Sequence, residues 1–325
     1  MKKFIIISFF ALAFVACQRD FDIGSPTEEK LCLICFPGLR DTTIIQLYRT
    51  VPIGGRYDGD PLLKDAEVVF SVNGQTRPVE QAREAVGSVP AGCWFVAEAL
   101  SPGDETEITA KIEGVAPVRA SAKVPNLPPA FEYGLRDKEV EVRFNDSSGS
   151  GGSYGLAVQC EQSLEIDGKI TVRTRNMQPY TAAVGTREIS VMKDYYDAGF
   201  TGWSLWPSRT AYYGVRVWPT SDLGGTVVKL SMMLASANFN SNLDIDYEPE
   251  HEGAIEKRRY KVLLYHFSEE FCKYMAALDH QANNAYASYG IVPMMPSFSN
   301  VSGGCGVFAG WSVRESEWFE NANLK

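Results

Sequence analysis

From Leu31 to Val124 the chain runs in short β-branched and aromatic stretches separated by turn residues, with no helical period among them. The stretches TTIIQLYRTV, AEVVFSVNGQ, CWFVAEAL, EITAKIEG and VRASAKV follow one another at the spacing of stacked sheets. Asn73-Gly74 supplies the dipeptide that best fits a two-residue hairpin, since both of its central residues take positive φ. This pattern predicts an immunoglobulin-like sandwich over 31–124.

At 125–129 the chain reads PNLPP. Proline has no N–H to give to a ladder, and adjacent prolines hold an extended backbone. This stiff connector is the clearest predicted domain boundary.

The segment 130–325 is predicted to be a larger β-rich domain. In EVEVRFND, Val140, Val142 and Phe144 alternate with charge, and the loop SSGSGG follows. SYGLAVQCEQSL, GKITVRTRN, YYGVRVWP, GTVVKLSMMLAS and RRYKVLLYHF read as further strands. One helix is expected near 268–287. Ser268 suits its cap, Glu269 and Glu270 suit its first turn, and Phe271, Tyr274, Met275 and Leu278 recur at helical spacing. The tail from Ile291 reads as loop and terminal strand. The expected fold class is mainly β, with one helix in the C-terminal half.

The chain opens on Met1-Lys2-Lys3 and the apolar run FIIISFFALAFVA, which ends at Ala16 before Cys17. A cationic start, a short apolar core and a small residue at its end form a secretory signal over 1–16. A run of thirteen residues is too short for a permanent span, which takes about 20. Phe14-Val15-Ala16-Cys17 resembles a bacterial lipobox, with Phe14 in place of the usual Leu. That resemblance implies lipidation of Cys17 and anchorage to a bilayer. A plain secreted protein is the alternative. The polar segment after Cys17 reads as a tether over 17–30. Its Asp20 and Asp22 resemble the export signals of surface lipoproteins in Bacteroidetes.

The net charge is −9, and Lys257-Arg258-Arg259 is a single short basic run. A nucleic-acid ligand is not expected, because phosphate contact needs a positive face. Past Cys17 there are six cysteines: Cys32, Cys35, Cys93, Cys160, Cys272 and Cys305. Six thiols allow 15 pairings, and sequence does not choose among them. Cys32 and Cys35 form a CxxC, but in a strand-like run. Residues three apart on a strand point to opposite faces, so buried structural thiols are the expected reading.

Two stretches are candidate sites. YYDAGFTGWSLWPSRTAYYGVRVWP places Tyr195, Tyr196, Trp203, Trp206, Tyr212 and Tyr213 close together, with Gly199, Gly202 and Pro207 suggesting a loop. Such aromatics are either a partner- or ligand-binding platform or the core and collar of the second domain. NFNSNLDIDYEPEHE places Asp244, Asp246 and Glu248 on alternate positions. Its plain reading is an exposed edge strand giving way to an acidic loop. The alternative is a divalent-cation site for calcium, although Pro249 and Ile255 stand where an EF-hand needs Gly and Glu. No other cofactor is expected.

There is no HExxH or Walker A motif. His251, His266 and His280 each read as surface or boundary residues rather than bases. A carboxylate-pair hydrolase stays open, because its two acids need not be close in sequence.

YKVLLYHFSEEFCKYMAALDHQ followed by IVPMMPSFSNVSGGCGVFAGWS resembles the end of the DUF4249 family of Bacteroidetes envelope lipoproteins. The upstream DAEVVF strand and VPNLPP connector match in the same order. The resemblance implies an outer-membrane, lipid-anchored protein on the periplasmic or surface side, often encoded beside a TonB-dependent receptor. It brings no catalytic residues with it. Cys305 and the other scattered cysteines depart from the family pattern. The expected function is a non-catalytic binding accessory in nutrient uptake, with a structural or adhesive module and the hydrolase as alternatives.

Overall fold

The computed structural model describes residues 29–50, 63, 65–136, 139–145, 152–166, 168–176, 179–184, 187–188, 216–219, 227–234, 255–274, 277 and 298–320. The described chain is mainly β. The first eight strands are β1 (Leu31–Cys35), β2 (Thr43–Arg49), β3 (Glu67–Val72), β4 (Gln75–Arg77), β5 (Glu80–Gln81), β6 (Trp94–Val96), β7 (Glu105–Ile112) and β8 (Val115–Lys123). After the connector come β9 (Phe131–Arg136), β10 (Glu139–Asn145), β11 (Ser153–Ile166), β12 (Lys169–Asn176), β13 (Pro179–Val184), β14 (Arg187–Glu188), β15 (Arg216–Pro219), β16 (Val227–Leu234) and β17 (Ile255–Phe267). A helical turn covers 269–274, and β18 (Cys305–Phe308) and β19 (Trp311–Glu315) follow.

These strands form four sheets, with orders β18-β1-β2-β6-β5, β4-β3-β7-β8, β12-β11-β17-β19 and β14-β13-β16-β10-β9. Period-two alternation decides what each face meets. Leu31, Leu33 and Cys35 of β1 point into a core shared with Phe70, Val72, Ile108, Ala110 and Val118 of the second sheet. Cys32 and Ile34 point the other way. On that face Ile34 and Phe36 pack with Ala157, Leu263, Tyr265, Phe267 and Trp311, so a second core joins the first sheet to the third. The third sheet turns Tyr154, Leu156, Val158 and Cys160 toward Val140, Val142 and Phe144 of the fourth. Three cores thus link four sheets in series. The third sheet is buried on both faces, which explains the nearly unbroken apolar run VLLYHF in β17.

The Asn73-Gly74 hairpin forms as expected between β3 and β4, with φ of 51° and 77°. At the helical turn, Ser268 Oγ accepts from Phe271 N at 3.4 Å, which is the expected cap. The ring of Phe271 stacks on Phe267 at 4.3 Å and meets Phe36 edge-on at 5.3 Å. Met275 and 278–287 lie outside the described residues.

The C-terminal tail differs from the expected loop and single strand. Residues 305–308 leave the second region and pair in parallel with β1, at the edge of the first sheet. Glycine makes this possible. Gly306 has a φ of 113°, and a Cβ there would collide with the carbonyl oxygen of Leu33.

Candidate functional site

Cys17, the aromatics Tyr195, Tyr196, Trp203, Trp206, Tyr212 and Tyr213, and the acidic Asp244, Asp246 and Glu248 all lie outside the described residues, as do His251 and His280. Among the described residues, no group of three or more His, Cys, Asp or Glu is placed to hold a metal. No helix there is long and apolar enough to cross a membrane.

The described chemistry gathers at one edge of the first sheet. Cys32 and Cys35 do fall on opposite faces of β1: Cys35 is buried in the first core, while Cys32 is half-buried on the far side. The residue opposite Cys32 is Cys305, its register partner on the parallel strand β18. The two side chains lie close enough to shift each other's ionisation. The Cys305 thiol donates to the Leu31 carbonyl at 3.7 Å.

The two thiols are electrostatically unequal. Donation from the Cys32 thiol stabilises a thiolate at Cys305 and brings its pKa down to about 7, against the opposing cost of burial and with help from Lys30. That same hydrogen bond, then burial, pushes Cys32 far up, so Cys32 keeps its proton. Nearby Tyr274 is raised to about 12, first by burial and then by the charge that the pair carries. Cys305 is therefore the more readily ionised thiol of the pair, and Cys32 the one that holds its proton. The other cysteines are spread through separate cores, Cys35, Cys160, Cys272 and Cys93 each in its own cluster. The signal for the pair was the Gly-rich setting of Cys305, which reads as a close backbone approach but does not say to what.

A second cluster fastens the connector. His266 is buried, not the surface or boundary residue expected, because β17 lies between β11 and β19 in the third sheet. Its Nδ1 donates to the Asn126 carbonyl at 3.0 Å, and Ser312 Oγ donates to the same carbonyl at 2.8 Å. Arg314 Nε donates to the Pro128 carbonyl at 2.7 Å. PNLPP therefore runs as a docked strap whose carbonyls are satisfied by side chains of β17 and β19. Replacing His266 by Phe keeps the ring against Tyr154, now 5.1 Å away, and leaves Ser312 bonded to Asn126. A loss of about 1 kcal/mol is expected by urea denaturation. Combining His266→Phe with Ser312→Ala orphans the carbonyl, and a loss of about 3 kcal/mol, more than additive, is expected.

At the surface, Trp318 carries two cations over its ring, Arg259 at 5.2 Å and Lys261 at 5.0 Å from the centroid. Glu161 holds Arg259 with two bonds of 2.6 and 2.9 Å. This assembly of β11, β17 and the tail has no local sequence signature, since its members are far apart in the chain.

Comparison with known families returns a match to the family described as Domain of unknown function (DUF4249), over residues 18–317. The chain belongs to the DUF4249 family. The family match thus takes in all four sheets, the docked connector and the glycine-rich return of β18. No curated protein matches the chain.

Proposed function

We propose that this DUF4249 protein is a lipid-anchored protein of the bacterial outer envelope that binds a ligand or partner without transforming it, as an accessory to a TonB-dependent nutrient receptor. The observation that carries this reading is where the family match begins. It opens at Gln18, directly after Cys17, so the lipobox-like cysteine stands at the boundary between leader and family domain. Processing there makes Cys17 the acylated first residue.

The geometry supports a body held off the bilayer. The tether from Cys17 to Leu31 can reach at most roughly 50 Å when extended. It runs into β1, which is packed between two cores, so a pull on the anchor is borne by the layered sheets. The first two sheets act as a stiff spacer of immunoglobulin type. The aromatic segment with Tyr195, Tyr196, Trp203, Trp206, Tyr212 and Tyr213 supplies the contact surface, since Trp and Tyr dominate binding hot spots.

The test is made in envelope fractions. Mass spectrometry of the mature N-terminus should find fatty acid on Cys17, and Cys17→Ser should move the protein into the soluble fraction. A TonB-dependent receptor should co-purify with the wild-type chain. Trp203→Ala with Trp206→Ala should lower that affinity by about 30-fold or more, as the loss of a hot spot of ~2 kcal/mol requires. Unchanged capture by the double variant would remove the aromatic surface from the reading. A free Cys17 thiol in a soluble mature protein would remove the anchor.

A further inference from the structure

We propose that Cys32 and Cys305 are a redox-active dithiol whose disulfide clasps strand β18 to the first strand β1. The inference rests on strand register and does not depend on the anchor or on the ligand.

Cys32 and Cys305 are direct partners in the parallel ladder that continues through Leu33 and Gly306, Ile34 and Val307, and Cys35 and Phe308. Both side chains are on the same face, Cys32 in phase with Ile34 and Cys305 in phase with Val307. Neighbouring strands lie about 4.8 Å apart. That separation falls inside the roughly 4.4–6.8 Å between α-carbons that a disulfide can bridge. Both residues are half-buried, so a reagent can reach them, whereas Cys35, Cys93, Cys160 and Cys272 are buried. Two sulfurs alone are too few for a structural zinc site, which takes four ligands.

The inequality of the two thiols assigns the roles. Cys305, the more readily ionised thiol, is the attacking sulfur, and Cys32 is the resolving one. The oxidant is a disulfide, either a low-molecular-weight one or that of an oxidised thiol oxidoreductase. The Cys305 thiolate attacks one sulfur of the oxidant. The oxidant's S–S bond breaks, one thiolate leaves, and a mixed disulfide forms on Cys305. Cys32 passes its proton to the departing thiolate or to water and attacks the Cys305 sulfur. The second half of the oxidant then leaves as a thiolate. Two protein thiols are oxidised, one disulfide is reduced to two thiols, and no other reactant is needed. The product ties β1, the strand that follows the tether, to β18, which returns from the far end of the chain.

The full-length mature protein is equilibrated in reduced and oxidised glutathione, quenched with iodoacetamide, and digested with trypsin without reductant. Cleavage after Lys30, Arg40, Lys273 and Arg314 places Cys32 and Cys35 in one peptide and Cys305 in another. The expected result is a cross-linked pair of these peptides in the oxidised sample, with fragmentation assigning the bond to Cys32. The oxidised protein should melt roughly 5–10 °C above the reduced one. Alkylation of Cys305 in the reduced protein should be half-maximal near pH 7. Cys35→Ser should keep the cross-link, and either Cys32→Ser or Cys305→Ser should abolish it together with the shift in melting. Both thiols alkylated in the fully oxidising buffer, in protein with native circular dichroism, overturns the proposal. So does a bond from Cys35, or a metal that masks the thiols and is released by chelator.

Discussion

Replacing Trp311 by alanine is expected to cost about 3–5 kcal/mol, the range for truncating a buried Trp, read as a shift in the denaturant midpoint. Trp311 is 3% exposed and begins β19, opposite Phe267. Its ring lies 5.8 Å from Tyr265 and fills the space above Gly38, with Arg40 over the ring at 5.8 Å. Its Nε1 donates to the Phe36 carbonyl at 3.1 Å, and its backbone N–H donates to the Pro37 carbonyl at 3.1 Å. One residue therefore stitches the third sheet to the loop that leaves β1. Trp311→Phe keeps most of the apolar fill and loses the indole N–H, so a smaller cost of about 1–3 kcal/mol is expected. If Trp311→Ala cost under about 1 kcal/mol, the core between the first and third sheets would not be cohesive.

Gly306→Ala is expected to release β18 from β1 and to cost at least ~3 kcal/mol, from a forbidden backbone angle together with a steric clash. At φ of 113° an L-residue is strained wherever space allows, and here the new Cβ would meet the backbone of Leu33. The neighbour is a ladder carbonyl in the sheet interior, which cannot swing aside as a flexible side chain could. Limited proteolysis should cut the variant ahead of Val307, and Val307 and Phe308 should lose their protection from hydrogen exchange. A variant as resistant as the parent would mean that the parallel pairing adds little to holding the tail.

Much of this architecture could be read from local patterns. Asn73-Gly74 marked its hairpin because positive φ at two successive positions is a property of those residues themselves. Val140, Val142 and Phe144 announced a strand because alternation needs only one buried face. Other strands were hidden. In β9, FEYGLR carries a glycine and follows two prolines, and β13 begins with Pro179, so neither was singled out as a strand. They become strands because β10 and β16 offer unpaired edges. The aromatic and acidic stretches were legible as candidates, and their surroundings lie outside the described residues.

Composition, alternation and turn chemistry set the fold class and the first hairpin, because these depend on residues within a few positions of one another. Tertiary structure alone decided the rest. It joined Cys305 to Cys32, placed His266 and Ser312 on one carbonyl of the connector, and buried β17 on both faces. Each of these unites residues more than a hundred positions apart. Their partnership is chosen by which strand edge and which sheet face remain open once the layers stack, and no local stretch of sequence carries that information.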